Sequence, residues 1–273
     1  MRVTPSGGAL GAFVTDIDLS ETPSEQLRQA LRAAWHEHLV LVFPDQPLNE
    51  ADFLAFAKTI GEPGRYPFVT GLADFPDIIE VKKLEHEKNN FGGIWHSDTL
   101  YLDEPPMASM LVAREIPPVG GDTEFANMNS AWEQLPLELQ QIIEHLTVVN
   151  RSDLADVSKT RSDRLADPGQ PTRQAYQSEH PAVRTHPETG RKALYVNIAH
   201  TSHFVGMTEA ESRPILEAIF EHQIQPQFVW RLTWKPGMLT LWDNRCLLHN
   251  PINDYDGHRR LMHRITLAGD RPY

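Results

Sequence analysis

The chain has 273 residues, 40% of them hydrophobic and 23% charged, which is enough to bury a sizeable core and within the range of one β-rich domain. A formal charge of −12 argues against nucleic acid or an anionic membrane as partner, because both would be repelled overall. The one cysteine, Cys246, excludes an internal disulfide, and no secretory leader or membrane-length apolar run is visible, so a soluble cytoplasmic protein is expected.

Residues 7–19 alternate apolar and polar positions (Ala12, Val14, Ile17, Leu19) and predict an opening strand. Thr22-Pro23-Ser24-Glu25 has the form of a capping box. The helix it starts carries Leu27, Ala30, Leu31, Ala34 and Trp35 on one stripe and should end near His38. The apolar run Leu39-Val40-Leu41-Val42-Phe43 predicts a buried strand. Asn49 caps a second helix with Phe53, Phe56, Ala57 and Ile60 inward, closed at Gly61. Strands are expected over 78–81 and 107–112, an extended stretch over 146–150, and two short helices opened by Ser130 and Pro136. Residues 151–180 are polar, carry Asp-Pro-Gly and Gln-Pro punctuation, and lack an apolar period; so long a connection predicts a lid or a disordered segment. Strand patterns return at 183–185, 193–196, 228–234, 238–242 and 265–267, around a helix capped by Thr208 and Glu211. Many short strands with few helices predict a mainly β fold, a sandwich or jelly roll with flanking helices, formed by residues 1–273 as a single domain.

The chemistry centres on Trp95-His96-Ser97-Asp98-Thr99, which follows the glycine-bearing Phe91-Gly92-Gly93-Ile94. Side chains at i and i+2 of an extended chain leave on one face, so His96 and Asp98 can reach one cation. A third ligand is needed, and the best candidate is His249, downstream of Leu241-Trp242-Asp243-Asn244-Arg245. Two histidines and one carboxylate on one face of a metal, with the other face open, is the arrangement of non-haem Fe(II) oxygenases. Arg260 and Arg264, four apart on one strand pattern, share a face within a basic stretch that suits a small anion better than a polymer. Thr123 follows the Gly120-Gly121 turn and offers a hydroxyl. A dianionic 2-oxo acid needs this set: its keto-carboxylate end chelates the metal, and its far carboxylate takes the planar fork of an arginine. His200-Thr201-Ser202-His203 has no carboxylate neighbour in sequence and is expected in a surface loop, while Cys246 reads as a small buried apolar residue.

Taken together, Trp95-His96-Ser97-Asp98, Gly120-Gly121-Asp122-Thr123, Trp242-Asp243-Asn244-Arg245 followed by His249, and Arg259-Arg260-Leu261-Met262-His263-Arg264 resemble the TauD/TfdA family of Fe(II)- and 2-oxoglutarate-dependent dioxygenases. Order and spacing fit from about residue 39 to the C-terminus. The resemblance implies a double-stranded β-helix (jelly-roll, cupin-like) core. It implies Fe(II) held by His96, Asp98 and His249, 2-oxoglutarate held at its distal carboxylate by Thr123 and Arg260, and O2 as the second cosubstrate. Arg264 would lie near a substrate anion, and family members commonly form homo-oligomers. Tyr66 and Tyr101 are expected to line the substrate pocket, and residues 151–180 to close over it. The substrate class expected is a small organic acid, sulfonate or sulfate ester. Two positions depart from the taurine branch: residues 62–68 contain no histidine, and Gly92 stands where that branch has asparagine. Two other readings use the same residues: a non-redox zinc or manganese enzyme on a similar barrel, and a carboxylate-binding protein that turns nothing over.

Overall fold

The computed structural model describes residues 1–64, 66, 68–90, 92–154 and 175–273. Strands β1 (Arg2–Pro5) and β2 (Ala12–Thr15) precede helix α1 (Glu25–His38), strand β3 (Val40–Phe43) and helix α2 (Glu50–Ile60). Strands β4 (Pro63–Gly64), β5 (Ile79–Lys83), β6 (Ala108–Glu115) and β7 (Thr123–Asn127) lead to helices α3 (Met128–Glu133) and α4 (Leu137–Ile143). Strands β8 (Thr147–Arg151), β9 (Gln177–Pro181), β10 (Val183–Thr185), β11 (Lys192–Leu194) and β12 (Thr201–Phe204) come before helix α5 (Glu209–Gln223). Strands β13 (Val229–Leu232), β14 (Leu239–Asp243), β15 (Leu247–Pro251) and β16 (Arg260–Leu267) close the chain.

A large sheet runs β1-β2-β3-β14-β6-β16-β4, with β5 also paired to β16, and faces a smaller sheet, β13-β7-β15, in a jelly-roll core. The large sheet is apolar on both sides. Val40, Val42, Ala113, Trp242 and Met262 pack between the sheets. Their alternates Leu41, Phe43, Val112, Leu241 and Ile265 pack with Leu31, Trp35, Phe53 and Phe56 of α1 and α2. A strand covered on both faces has no polar side, which explains the uninterrupted apolar run of β3. The same alternation sends Arg260 and Arg264, flanking Met262 on β16, and Ser109 on β6 into the space between the sheets. No helix among the described residues is long and apolar enough to cross a membrane.

Several local expectations are corrected. Helix α1 is capped by Ser24, whose hydroxyl accepts from Leu27 N at 3.2 Å, so Thr22 and Pro23 lie outside it. Helix α3 begins earlier than Ser130, because the Asn127 side chain accepts from the amides of Asn129 and Ser130. Of the expected lid over 151–180, residues 155–174 lie outside the described residues, but both ends are sheet: Arg151 closes β8, and β9 pairs antiparallel with it. Strand β9 escapes an apolar search because its inward residues are Ser178 and His180. They bond the carbonyls of Leu100 and Leu102 at 3.0 and 2.8 Å, propping the turn that follows Asp98.

Candidate metal and cosubstrate site

His249 lies inside β15 rather than after a strand, in the middle of the smaller sheet's edge, and an antiparallel bridge couples it to His96 through reciprocal backbone hydrogen bonds of 3.0 and 2.8 Å. The bridge brings the two imidazoles together, their centroids 4.1 Å apart and their planes tilted by 47°. Asp98 completes the group: one ligand atom from each of His96, Asp98 and His249 falls within 4.8 Å of the others, and all three residues are buried. The Nε2 atoms of His96 and His249 lie 3.8 and 4.0 Å from Asp98 Oδ1. Gly92, at φ +77°, sits against this cluster, where a Cβ would come within 3.0 Å of His96 Cε1.

The donor chemistry fits a divalent metal. His96 Nδ1 is 2.6 Å from the carbonyl of Ile94, which can only accept, so Nδ1 carries the proton and Nε2 is left with a lone pair. Burial holds His249 well below the ordinary histidine range and lowers His96 as well, so both rings are neutral. Burial works to raise Asp98, but the Arg264 guanidinium and a hydrogen bond from Ser109 outweigh it and keep the carboxyl well below its usual range. Neutral imidazole and ionised carboxylate are the forms that bind metal.

Around the cluster, Asp98 Oδ2 accepts from Ser109 Oγ, Ser109 accepts from Asn244 Nδ2 at 3.1 Å, and Asn244 Oδ1 accepts from Trp242 Nε1 at 2.9 Å. The Trp242-Asp243-Asn244-Arg245 motif thus reaches the metal site through Asn244. Its other polar members face away: Asp243 accepts two bonds from the Arg245 guanidinium, one from the Arg245 amide and one from His186 Nε2 at 3.0 Å. A second cluster of ligand types, His186, Asp243 and Cys246, is filled by that guanidinium, and burial pushes the Cys246 thiol up, keeping it protonated.

A cleft beside the cluster is lined by Thr123, Trp234, Pro251, Arg260 and Arg264. Thr123 Oγ1 accepts from Trp234 Nε1 at 3.0 Å, which leaves its own hydrogen free to donate. Arg260 is buried over the Trp234 ring, 5.7 Å from the centroid, and its Nε has no partner. Burial disfavours the Arg260 charge and lowers its pKa. Gly121, at φ +73°, leaves room for Arg260, whose Cδ would be 3.3 Å from an added Cβ. Arg264 Nη2 approaches Asp98 Oδ1 to 3.3 Å without hydrogen-bond alignment, and its Nε and Nη2 stay unfilled. Leaving buried guanidinium donors unmade is unfavourable, and both arginines have the chemistry to take an anion.

Beyond Arg264 the walls are aromatic. Tyr66 lies under the Arg264 guanidinium at 5.1 Å and contacts Phe68, which in turn meets Tyr101 and Tyr176. A pocket of 210 Å³ opens between Tyr66 and Asp77 beside Arg264. His200 is corrected from the surface to the interior: it is buried, its ring 4.9 Å from Tyr101 and 6.3 Å from His96. Burial depresses it to about 3. Nothing adjacent in sequence marks it, because its neighbours come from the His96 and Tyr101 segment about a hundred residues earlier.

A jelly roll with two histidines and a carboxylate beside paired buried arginines defines a metal-dependent enzyme acting on anions. A family model described as "Taurine catabolism dioxygenase TauD, TfdA family" matches residues 2–266. The chain is 34% identical to an alkylsulfatase of Acinetobacter baylyi, over 96% of this chain and 83% of the relative. It is also 34% identical to the alpha-ketoglutarate-dependent 2,4-dichlorophenoxyacetate dioxygenase of Cupriavidus pinatubonensis, over 95% and 94%. A taurine dioxygenase structure from Burkholderia xenovorans superposes with a TM-score of 0.84 at 31% identity, covering 99% of this chain and 92% of the other. The chain belongs to the TauD/TfdA family of dioxygenases. Its cofactor set is therefore Fe(II), 2-oxoglutarate and O2.

Proposed function

We propose that residues 1–273 act as one catalytic domain that hydroxylates small organic anions at the expense of 2-oxoglutarate. His96, Asp98 and His249 are assigned to the metal, Thr123 and Arg260 to the distal carboxylate of 2-oxoglutarate, and Arg264 to the anionic group of the substrate. The observation that carries this reading is the pair of buried guanidinium groups with unfilled donors, Arg260 and Arg264, flanking a three-ligand cluster. When bound, the iron lets O2 split 2-oxoglutarate into succinate and CO2, with one oxygen atom entering succinate and the other a substrate C–H bond.

The protein's own contribution is to bind, orient and keep water out. Trp234 limits the positions open to Arg260 and turns the Thr123 hydroxyl outward, so the two present a bidentate cation and a donor to one carboxylate. Asp98 stays ionised and offsets metal charge. Tyr66, Phe68, Tyr101 and Tyr176 surround the far side of Arg264 with apolar surface, which fits a substrate with an anionic head and a hydrophobic body. Alkyl sulfates and aryloxy acids, the kinds of compound for which two relatives are named, both have that form. Oxidation of a carbon bonded to oxygen gives a product that collapses and releases a fragment. A homo-oligomer in the cytoplasm completes this reading, the compartment resting on the lone buried thiol of Cys246.

Anaerobic titration with Fe(II) and 2-oxoglutarate should raise a weak visible charge-transfer band in the wild type and none in His96→Ala. Arg260→Met should raise the 2-oxoglutarate requirement at least tenfold, the order expected for losing a charge-assisted pair. A panel of alkyl sulfates, sulfonates and aryloxy acids should then yield succinate in step with product. No band, and no succinate with any acid, rejects the reading.

A further inference from the structure

We infer that Lys83 is a positioning residue for the cosubstrate, latching the segment 251–256 that walls the cleft around Arg260; the inference rests on the functional reading above. Lys83 ends β5 directly opposite Arg260 of β16 in the antiparallel register. Its side chain is 1% exposed, which is rare for a lysine and unfavourable unless the ammonium has partners. Its ammonium donates to Asn253 Oδ1 at 2.8 Å, lies 3.6 Å from Asp256 Oδ1, and sits 4.2 Å from the centroid of the Tyr255 ring. All three partners come from one connection, between β15 and β16.

That connection is part of the cosubstrate cleft. It leaves β15 at Pro251, which lines the cleft together with Arg260, and it buries Tyr255. It is fastened elsewhere too. Asn253 Nδ2 donates to the Lys88 carbonyl at 2.7 Å and Asn90 Nδ2 to the Pro251 carbonyl at 2.9 Å. On the opposite side Asp254 accepts from Gly121 N at 2.8 Å and from Arg231 at 3.2 Å. Asn253 is the shared node, its Oδ1 accepting from the Lys83 ammonium and its Nδ2 donating to the Lys88 carbonyl. Because Lys83 and Arg260 are cross-strand partners, the latch sets the wall and the guanidinium in one frame. A methionine would fill the same volume without the desolvation of an ammonium, so the charge at this position answers to the segment it holds.

The test is calorimetric titration of 2-oxoglutarate into the anaerobic, Mn(II)-loaded full chain, for wild type, Lys83→Met, Asn253→Ala and the double variant. Each single change should weaken the 2-oxoglutarate Kd by about tenfold. The double variant should be weaker than either single but by less than the product of the two effects, since the Lys83–Asn253 bond is lost in both while each residue also makes contacts of its own. Mn(II) affinity, and separately the kcat of the Fe(II)-loaded protein in air at saturating 2-oxoglutarate, should stay within about twofold of wild type, a split that general loss of structure would not leave. Wild-type binding by Lys83→Met overturns the inference. So does weakening in Lys83→Met alone with Asn253→Ala normal, which would make the lysine a bare charge. Should Lys83→Met not fold, the exposed substitution Asn253→Ala decides by itself. Failure of the Mn(II)-loaded wild type to bind 2-oxoglutarate would remove the functional reading, and this inference with it.

Discussion

Asp98 is held from two directions, and that division sets what each neighbour does. Oδ1 faces the imidazoles and Arg264, while Oδ2 is tied to Ser109 and through it to Asn244 and Trp242. Thr99, immediately after it, sits at φ 45°, a conformation a β-branched residue rarely adopts, in keeping with a chain turned sharply to aim the carboxylate. Ser109→Ala should leave Oδ2 without its donor and free the carboxylate to rotate. Metal affinity is then expected to fall about 10- to 100-fold, the usual cost of losing an outer partner of a ligand, with melting temperature little changed. Equilibrium dialysis with Mn(II) checks it, and an unchanged Kd would mean that the backbone alone aims Asp98. The cluster of His96, Asp98 and His249 was legible in the chain, because these positions carry the residue types a metal demands. Ser109 and His200 were not: each joins the site across strands or turns from a distant segment, and neither leaves a pattern in its own neighbourhood.

The turn between β14 and β15 carries the motif whose polar side chains split between the site and the fold. Asn244 faces Asp98, while Asp243 and Arg245 form a buried pair extended by Glu188, which also accepts from Arg32 of α1. This network ties α1 and the β10–β11 hairpin to the turn that positions β15. Burial acts to raise Asp243, but the Arg245 charge, its hydrogen bonds and His186 hold the carboxyl below its ordinary value. A depressed carboxyl contributes stability that is present above its unfolded pKa of about 3.9 and lost as pH falls through the folded value. Denaturation of the wild type should therefore steepen below about pH 4. Asp243→Asn should cost up to about 3 kcal/mol at pH 7, by leaving the buried Arg245 with Glu188 as its one carboxylate, and should flatten that acid limb. Urea melts at pH 7 and below pH 4 measure both, and equal acid sensitivity of the two proteins would assign it elsewhere. The strands around this turn differed in how readily they could be read. Strands β3 and β14 announce themselves as apolar runs because helices cover one side and the second sheet the other. Strand β15 mixes Leu247 and Leu248 with His249, Asn250 and Pro251, so its periodicity is lost where the site begins. Strand β9 buries only polar groups, and β4 is a two-residue edge held by Thr266 and Leu267, too short for any period.

At the scale of the whole molecule the site is a seam. The smaller sheet brings His249 on β15 and Thr123 on β7, and the larger brings Arg260 and Arg264 on β16, with Ser109 on β6 behind Asp98. The seam sets two buried arginines on one strand, and Arg264 comes within 3.3 Å of the Asp98 carboxylate. Metal and 2-oxoglutarate would fill it from both sides, each available only to the folded chain. A ligand that binds only the native state at 100 times its Kd adds about 2.7 kcal/mol, and for a chain of this size each kcal/mol is worth roughly 2–4 °C. Saturating 2-oxoglutarate with Mn(II) present should thus raise the melting temperature by about 5–10 °C over Mn(II) alone. On the proposed assignment His96→Ala should lose the metal and with it the anchor for the keto end of 2-oxoglutarate, so the shift should shrink to what Thr123 and Arg260 provide. In Arg260→Met the metal shift should persist while the 2-oxoglutarate increment falls, so the two variants separate the halves of the seam. Equal increments in wild type and both variants would mean that 2-oxoglutarate binds elsewhere and that the two sheets meet for another purpose.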